Sequence, residues 1–348
     1  MNIVYLGYNS FLKFKRGVEN VIIFQSISFP FSKKYYIHWD QKTYVYKYSD
    51  IICIGLKKNF FWPLRLNIIV FRLLKSKISI IHSHNPLMSF FLYTKTLILT
   101  VHDALAYQNS NNSNIFFNNI ILKFVEKIVY LKSIHVHFIS FFTKSKALFD
   151  GDNFSIIYNT CFLENKSIQS VNYSSSFEND IISVLIVRSI ERRARIDLLI
   201  QVAEKLQNSN YKFTIAGKGP LLDKYKNVIK EKNLNNIQML GYVPDELLVQ
   251  LYSKTDVVLM VANDSEGFGL PIIEGYLFDK PVIASNVCAI PEIIISESFL
   301  FNNNADDIIE KLLRIDLNIR SVYSKYYFNN FSNSVIFPKY YNLYSRYS

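Results

Sequence analysis

Short apolar runs alternate with amphipathic stretches through the first half of the chain. The runs are rich in branched apolar residues, which is typical of buried strands. They lie at residues 3–6, 51–54, 78–82, 97–102, 135–140 and 156–159. Helical spacing of apolar residues follows residue 17 and recurs at residues 63–74 and about 115–131. This alternation predicts a parallel sheet with helical connections.

The second half repeats the same alternation more clearly. Apolar runs that predict strands lie at residues 181–187, 213–217, 237–240, 256–261 and 281–284. Amphipathic stretches at residues 198–206 and 305–314 predict helices that bury one face. The pattern therefore predicts an α/β protein in which each half forms its own sheet.

A length of 348 residues is too great for one typical domain and suits two. Half of the residues are apolar, so each domain can bury a core. A Ser- and Asn-rich segment at residues 166–180 predicts a linker. We therefore expect an N-terminal domain at residues 1–165, a C-terminal domain at residues 181–325 and an aromatic tail at residues 326–348.

Residues 266–274 carry the most specific chemical pattern. They read Glu-Gly-Phe-Gly-Leu-Pro-Ile-Ile-Glu and follow an apolar run, at the carboxyl end of a predicted strand, where open α/β sheets bind ligands. Gly267 and Gly269 let the backbone approach a ligand closely. Pro271 suits the first turn of a helix, and a helix N-terminus favours an anion such as phosphate. Glu274 lies one turn inside that helix, where a carboxylate can accept two hydroxyl hydrogen bonds.

A carboxylate on each side of a Gly-rich turn that suits phosphate fits a sugar nucleotide. The alternative is an ordinary strand-turn-helix connection with surface acids, because short motifs recur by chance. Continued by Gly275, residues 281–285 and Pro291-Glu292, the stretch resembles the signature of retaining glycosyltransferases of family 4. That family has the two-domain GT-B fold. The resemblance covers most of the second half residue by residue and the first half more loosely.

The resemblance implies two doubly wound, Rossmann-like domains facing a central cleft, with the tail returning to the N-terminal domain. It implies that Glu266 and the backbone after it hold the donor sugar, and that Glu274 holds the ribose. The donor-binding residues that it implies in this stretch are Gly267, Phe268, Gly269, Leu270 and Glu274.

Several cations follow the first strand of the second half. Arg188 matches an arginine of the family, which would neutralise a leaving diphosphate through bidentate hydrogen bonds. The family's following Lys-Gly is replaced here by something within Arg193-Ala194-Arg195, and either Arg193 or Arg195 substitutes for the lysine. The alternative is a solvated basic turn. The family pattern also places Gly217 in a tight turn and Tyr242 and Val243 beside the nucleobase, where main-chain contacts do not reveal the base.

Two positions in the first half match the family near the donor. Gly17 is what remains of a glycine pair that approaches the donor phosphates. His102 ends a predicted strand and resembles the histidine placed close to the donor sugar and phosphate; a structural histidine with satisfied hydrogen bonds is the alternative. The candidate catalytic residues are therefore Glu266, Arg188, His102 and Arg193.

Two histidine pairs and one aspartate pair are candidates for a metal site. They are His82 with His84, His135 with His137, and Asp150 with Asp152. Neither histidine pair has a third clustered ligand or a nearby Cys, and Asp-Gly-Asp-Asn is a turn sequence. We expect no metal and no cofactor, with the nucleoside diphosphate sugar acting as a substrate.

The net positive charge of the chain comes entirely from the first half. Residues 1–178 hold 20 Lys and Arg against 9 Asp and Glu, a difference of +11, whereas residues 179–348 hold 19 of each. No nucleic-acid-binding motif accompanies this charge, so an anionic membrane surface or a phosphorylated acceptor is the expected partner. The alternative is that Lys-rich loops keep an aromatic-rich domain soluble.

The compartment is predicted from three absences in the sequence. Arg72, Lys75 and Lys77 interrupt the most hydrophobic region before it reaches the length of a membrane-spanning helix. The first residues lack the basic region of a signal peptide, and the three cysteines are widely spaced. We expect a cytoplasmic protein that attaches peripherally to the inner face of the cell membrane.

The expected reaction is sugar transfer with retention, from a nucleoside diphosphate sugar to a lipid-linked acceptor of surface polysaccharide assembly. No carboxylate is placed as a covalent nucleophile, so the resemblance implies a front-face mechanism. Two alternatives remain open. One is a sugar-nucleotide 2-epimerase on the same fold, and the other is a catalytically silent sugar-nucleotide-binding partner protein.

Overall fold

A computed structural model describes residues 2–13, 17–30, 32–74, 79–103, 116–167, 181–263, 266–319 and 321–347. The chain divides into two compact units. The first unit comprises Met1–Asn159 and Ser334–Ser348, and the second comprises Thr160–Asn333. The division therefore falls a few residues before the expected linker, most of which, residues 168–180, lies outside the described residues.

The first unit is built on an eight-stranded sheet. Its strands are β1 (Asn2–Leu6), β2 (Lys33–Asp40), β3 (Tyr44–Tyr48), β4 (Ile51–Lys57), β5 (Ser79–Ser83), β6 (Leu97–Val101), β7 (Ser133–Phe138) and β8 (Phe154–Ile156). They follow the order β3-β4-β2-β1-β5-β6-β7-β8. Every pairing is parallel except that of β3 with β4. Among the described residues from Gly17 to Lys146, the helices are α1 (Gly17–Ile27), α2 (Trp62–Leu73), α3 (Pro86–Phe91), α4 (Phe116–Lys132) and α5 (Phe141–Lys146).

The second unit holds a six-stranded, wholly parallel sheet. Its strands are β9 (Ile182–Val187), β10 (Tyr211–Ala216), β11 (Ile237–Gly241), β12 (Val257–Met260), β13 (Val282–Ser285) and β14 (Leu300–Phe301). They follow the order β11-β10-β9-β12-β13-β14. The order reverses direction between β9 and β12, which are adjacent. The carboxyl ends of these two strands therefore form the point at which doubly wound sheets bind ligands.

The remaining helices complete the chain. They are α6 (Glu164–Ser167), α7 (Ile196–Lys205), α8 (Leu222–Glu231), α9 (Asp245–Lys254), α10 (Leu270–Leu277), α11 (Ile290–Ile293), α12 (Ala305–Arg314), α13 (Val322–Asn330) and α14 (Asn333–Ser345), with short 3-10 turns at Arg192–Ala194 and Glu297–Phe299. Within the described residues, no helix has the length and apolarity that crossing a membrane requires.

The side chains of β1 alternate between two separate apolar cores of the first unit. Successive side chains of a strand point to opposite faces of its sheet. Val4 and Leu6 join an apolar cluster with residues of α2 and α4, whereas Ile3 and Tyr5 join a cluster with α1 and with Tyr344 of α14. The C-terminal tail therefore supplies part of the core of the first unit.

The predicted runs form the predicted kinds of element, and the structure adds the strands β2, β3 and β14. Strands β2 and β3 are not predicted by the sequence pattern, because tyrosines and lysines there replace the usual branched apolar residues. The last strand of the first unit begins at Phe154 and ends at Ile156, earlier than the predicted run. The helix predicted at residues 305–314 has those bounds in the structure.

Candidate active site

Arg188 and Glu266 meet at the switch point of the second unit. Arg188 follows β9 and Glu266 follows β12, so the two adjacent strands bring their side chains together. Nη1 of Arg188 donates to Oε2 of Glu266 at 2.9 Å, and both side chains are largely buried. A cation and an anion are thus held at the sheet edge where an anionic ligand of this fold would bind.

The backbone that carries Arg188 is held by a close approach at Gly217. Arg188 N–H donates to the carbonyl of Ala216 at 3.0 Å, and Gly217 has a φ of +151°. A Cβ atom added at Gly217 would lie 1.7 Å from the carbonyl oxygen of Arg188. A Cβ atom added at Gly219 would likewise lie 2.3 Å from the carbonyl oxygen of Ile190. Gly217 therefore has a packing reason of its own, in addition to the donor contact that the family pattern predicts.

The two arginines that could replace the family lysine have different surroundings. Arg195 has a left-handed φ of +48°, and its guanidinium donates to both carboxylate oxygens of Asp197 at 3.2–3.3 Å. Arg193 makes a looser pair with Glu191, at 3.6 Å. Its carbonyl accepts from the N–H of Asn263, three residues before Glu266. Arg193 is therefore the candidate whose backbone is tied to the Glu266 loop.

The Gly-rich loop turns directly into α10. Gly269 is the N-cap of that helix with a left-handed φ of +100°, which favours glycine, and Pro271 occupies the first turn. Gly267 and Phe268 are buried, and the Phe268 ring lies 6.3 Å from that of Phe331. The side chain of Phe268 therefore packs inward, so its backbone is the part suited to a ligand.

Glu274 is a buried carboxylate with one aromatic partner. The hydroxyl of Tyr252 on α9 donates to Oε2 of Glu274 at 2.6 Å. Burial raises the pKa of Glu274 to about 7, although this hydrogen bond opposes the rise. The described residues form no hydrogen bond to the other oxygen, Oε1, which stays available to a hydroxyl donor. The sequence pattern did not reveal Tyr252, because its pairing with Glu274 arises only from the packing of α9 against α10.

The remaining donor candidates of the second unit lie at the same sheet edge. Tyr242 follows β11, is 64% exposed and has Nζ of Lys218 at 5.2 Å from its ring centre. Val243 and Leu270 are partly buried. The exposed ring of Tyr242 leaves one face available for contact with a planar ligand.

In the first unit, His102 lines a cavity of about 230 Å³. The cavity lies beside the carboxyl ends of β5 and β6 and is also lined by Tyr8, His84, Asp103 and Tyr130. Nε2 of His102 lies 2.7 Å from Nδ1 of His84. Gly17 is the exposed first residue of α1.

The histidines that are candidate metal ligands have hydrogen-bond partners inside the first unit. His82 contacts Tyr344 and Thr100, His137 contacts Thr100 and the carbonyl of Ile157, and His135 contacts Asn153 and Ser155. Across the described ranges, no group of three or more His, Cys, Asp or Glu is arranged to hold a metal ion.

One known family matches the part of the chain that contains the site of the second unit. Residues 173–321 match the family described as glycosyl transferases group 1. The match includes Arg188, Glu266 and Glu274, whose placement at the switch point is described above.

Two relatives and one solved structure resemble this chain. An uncharacterized glycosyltransferase of Methanocaldococcus jannaschii is 28% identical over 250 residues, 70% of this chain and 60% of that protein. The poly(ribitol-phosphate) alpha-N-acetylglucosaminyltransferase of Staphylococcus aureus is 34% identical over 131 residues, 35% of this chain and 25% of that protein. This chain thus spans less than two thirds of either relative. Anabaena HepE, solved in complex with UDP and glucose, has a TM-score of 0.76 at 14% identity, covering 99% of each chain.

The comparisons and the two sheets confirm the predicted fold class. Each unit has a Rossmann-like sheet, parallel throughout in the second unit and parallel except for the pair β3–β4 in the first, and the structural likeness extends over nearly the whole chain. The predicted GT-B fold is therefore correct.

Proposed function

We propose that this protein is a retaining glycosyltransferase. It transfers a sugar from a nucleoside diphosphate sugar to a lipid-linked acceptor of surface polysaccharide assembly. The observation that carries the proposal is the Arg188–Glu266 pair at the switch point, with Glu274 on the helix that follows. The name of the S. aureus relative, a transferase of an anionic polymer, supports the acceptor class, and the UDP and glucose bound by HepE support the donor class.

The residues of the second unit divide the donor between them. Glu266 and the backbone of residues 267–270 hold the sugar hydroxyls, and Oε1 of Glu274 accepts from the ribose. Arg188 and Arg193 contact the diphosphate. When the donor binds, Arg188 exchanges part of its contact with Glu266 for phosphate oxygens, which frees Glu266 to accept from the sugar.

The transfer step is a displacement on one face of the sugar. The bond between the anomeric carbon and the diphosphate oxygen breaks, and a bond forms between that carbon and the acceptor oxygen. The acceptor proton moves to the leaving phosphate. Arg188 stabilises the charge that develops on this phosphate, and such electrostatic stabilisation is usually the largest catalytic term.

Attachment to the cytoplasmic face of a membrane accounts for the charge of the first half. Lys57 and Lys58 precede two exposed rings, those of Phe60, which is 90% exposed, and Phe61, which is 58% exposed. Trp62 is partly buried instead, with ring contacts to Trp39 and Phe91. Aromatic rings beside lysines suit a membrane interface, where anionic lipids attract the cations.

The decisive experiment measures release of free nucleoside diphosphate from candidate sugar nucleotides, with and without a lipid-linked acceptor. We expect release that depends on the acceptor and a product whose anomeric configuration, read by NMR, equals that of the donor. A 2-epimerase would alter the sugar nucleotide without an acceptor. A silent binding protein would bind the donor and release nothing, and either result would overturn the proposal.

A further inference from the structure

Gln25, His84 and His102 form one hydrogen-bonded row that ends at the cavity of the first unit. Oε1 of Gln25 lies 2.8 Å from Nε2 of His84, and Nδ1 of His84 lies 2.7 Å from Nε2 of His102. Gln25 and His84 are buried, and His84 and His102 line the cavity. The transfer step described above leaves Gln25 and His84 without a role.

The chemistry of the amide fixes the direction of every hydrogen bond in this row. An amide oxygen only accepts, so Nε2 of His84 carries the proton. In a neutral imidazole the other nitrogen then accepts, so Nδ1 of His84 receives its hydrogen bond from Nε2 of His102. Nε2 of His102 therefore carries the proton of that ring, and Nδ1 of His102 is left bare.

Both rings are held in the neutral form that this argument requires. Burial lowers the pKa of His84 well below its usual value, and burial lowers the pKa of His102 to about 3. Each ring consequently holds a single proton at neutral pH, and the row has one consistent arrangement of those protons.

We propose that Gln25, acting through His84, is a positioning residue that fixes His102 in the tautomer with a bare Nδ1. The amide oxygen of Gln25 faces His84, and its amide nitrogen is buried without a hydrogen-bond partner among the described residues.

The tautomer determines which ligand atoms His102 can bind. A bare nitrogen accepts a hydrogen bond from a hydroxyl, but it has no proton to donate to a phosphate oxygen. His102 is therefore assigned to a sugar hydroxyl and not to the diphosphate. The identity of that ligand as a sugar rests on the proposed function, whereas the tautomer itself does not.

A second row in the same unit supplies an internal control. The carbonyl of Ile157 accepts from Nε2 of His137, so Nδ1 of His137 accepts from the hydroxyl of Thr100, at 2.9 Å. The Thr100 oxygen then accepts from Nε2 of His82, at 2.6 Å, and Nδ1 of His82 accepts from the hydroxyl of Tyr344. A backbone carbonyl, and not Gln25, accepts the hydrogen bond that fixes this row, although the Tyr340 hydroxyl also lies 3.5 Å from Nε2 of His137.

The test is the tautomer of each histidine in the full-length protein, labelled with 15N-histidine and read by long-range proton–nitrogen correlation NMR. The His84→Asn and His102→Asn variants assign the signals. We expect His84, His102 and His137 to carry their protons on Nε2 at pH 7. The wild-type spectrum is sufficient to overturn the proposal. It does so if Nδ1 of His102 carries a proton, or if both nitrogens of the His102 ring are protonated.

The Gln25→Met variant removes the accepting oxygen and nearly preserves the side-chain volume. We expect the single tautomer of His84 and His102 to be lost while His137 keeps its proton on Nε2. The KM for the donor identified by the transfer assay should rise about two- to tenfold, the scale of one hydrogen bond. Unchanged tautomers at His84 and His102 in a variant that retains the His137 signal would refute the role of Gln25. If the Gln25→Met variant does not fold, the wild-type spectrum decides whether His102 has the proposed tautomer. If the protein proves to have no transferase activity, the proposed function fails, but the NMR result on the tautomer still stands.

Discussion

Arg188 and Glu266 are 78 residues apart in the chain, yet Nη1 of Arg188 donates to Oε2 of Glu266 at 2.9 Å. Each belongs to a different loop, and the adjacency of β9 and β12 brings the two loops together. The pair keeps the guanidinium oriented and partly neutralised before a diphosphate arrives. In the proposed mechanism, Arg188 exchanges this contact for one with the diphosphate, so the same side chain takes part in donor binding and in catalysis.

Replacement of Arg188 by Ala should lower turnover by at least about a hundredfold, because one transition-state electrostatic contact is lost. The measurement is kcat for nucleoside diphosphate release. Arg195→Ala is the matched control, since Arg195 is paired with Asp197 and should change kcat far less. A loss of thermal stability that accounts for the lost activity of Arg188→Ala would identify Arg188 as structural.

Replacement of Glu274 by Gln should weaken donor binding by about ten- to hundredfold, the scale of charge-assisted hydrogen bonds. The measurement is the donor Kd by calorimetry at pH 8. Wild-type affinity should also fall as the pH drops below about 7, because the carboxylate that accepts from the ribose becomes protonated. The affinity of Glu274→Gln should not show that dependence, and an unchanged Kd would contradict the ribose assignment.

The same substitution should stabilise the protein at alkaline pH. The folded pKa of Glu274, about 7, lies above the usual glutamate value of 4.5, so the folded state binds the proton more tightly. The free energy of unfolding of the wild type should therefore fall by about 3 kcal/mol in total as the pH rises from about 4.5 to about 7. Glu274→Gln cannot ionise and should lack this loss. Denaturant unfolding of both proteins at pH 5 and pH 8 measures the difference, and parallel pH profiles would contradict it.

Replacement of Gly217 by Ala should destabilise the protein by at least about 3 kcal/mol, because the new methyl group overlaps the Arg188 carbonyl. Gly241→Ala is the control, since Gly241 also has a positive φ but its added Cβ would lie 3.7 Å from the nearest packed atom, Cδ2 of Leu222. That variant should lose only about 1–2 kcal/mol, the cost of a left-handed backbone. Equal losses in urea unfolding would show that the close approach is unimportant.

Flotation with vesicles tests the membrane proposal. We expect binding to anionic and not to neutral vesicles, and weakening with salt, because screening shortens to about 3 Å at 1 M. Removing Lys57 and Lys58 should cost about 1 kcal/mol of binding for each lysine. Phe60→Ser with Phe61→Ser should also reduce binding, whereas Phe328→Ser, an exposed ring in the second unit, should not. Binding that ignores both salt and lipid charge would refute the electrostatic account.

Treatment with a chelator should leave transferase activity in place, because the proposed step relies on arginines to neutralise the diphosphate. The measurement is nucleoside diphosphate release before and after chelation. Loss of activity that manganese restores would direct attention to Asp150 and Asp152.

The sequence by itself determined the features that depend on neighbouring residues. The helix at Ala305–Arg314 follows from the spacing of its apolar residues, and the turn before α10 follows from Gly269 and Pro271, whose backbone preferences are local. The positions of Arg188 and Glu266 after strand ends were predictable for the same reason, because the end of an apolar run is visible in one dimension.

Only the tertiary structure decided which of these groups meet. The bonds from Arg188 to Glu266, from Tyr252 to Glu274 and from Gln25 to His84 each join distant parts of the chain. They depend on strand order and on the packing of helices, which no local pattern records. Burial decided the rest: the same carboxylate that titrates near 4.5 in an exposed position titrates near 7 at Glu274, since its neighbours displace the water that would stabilise its charge.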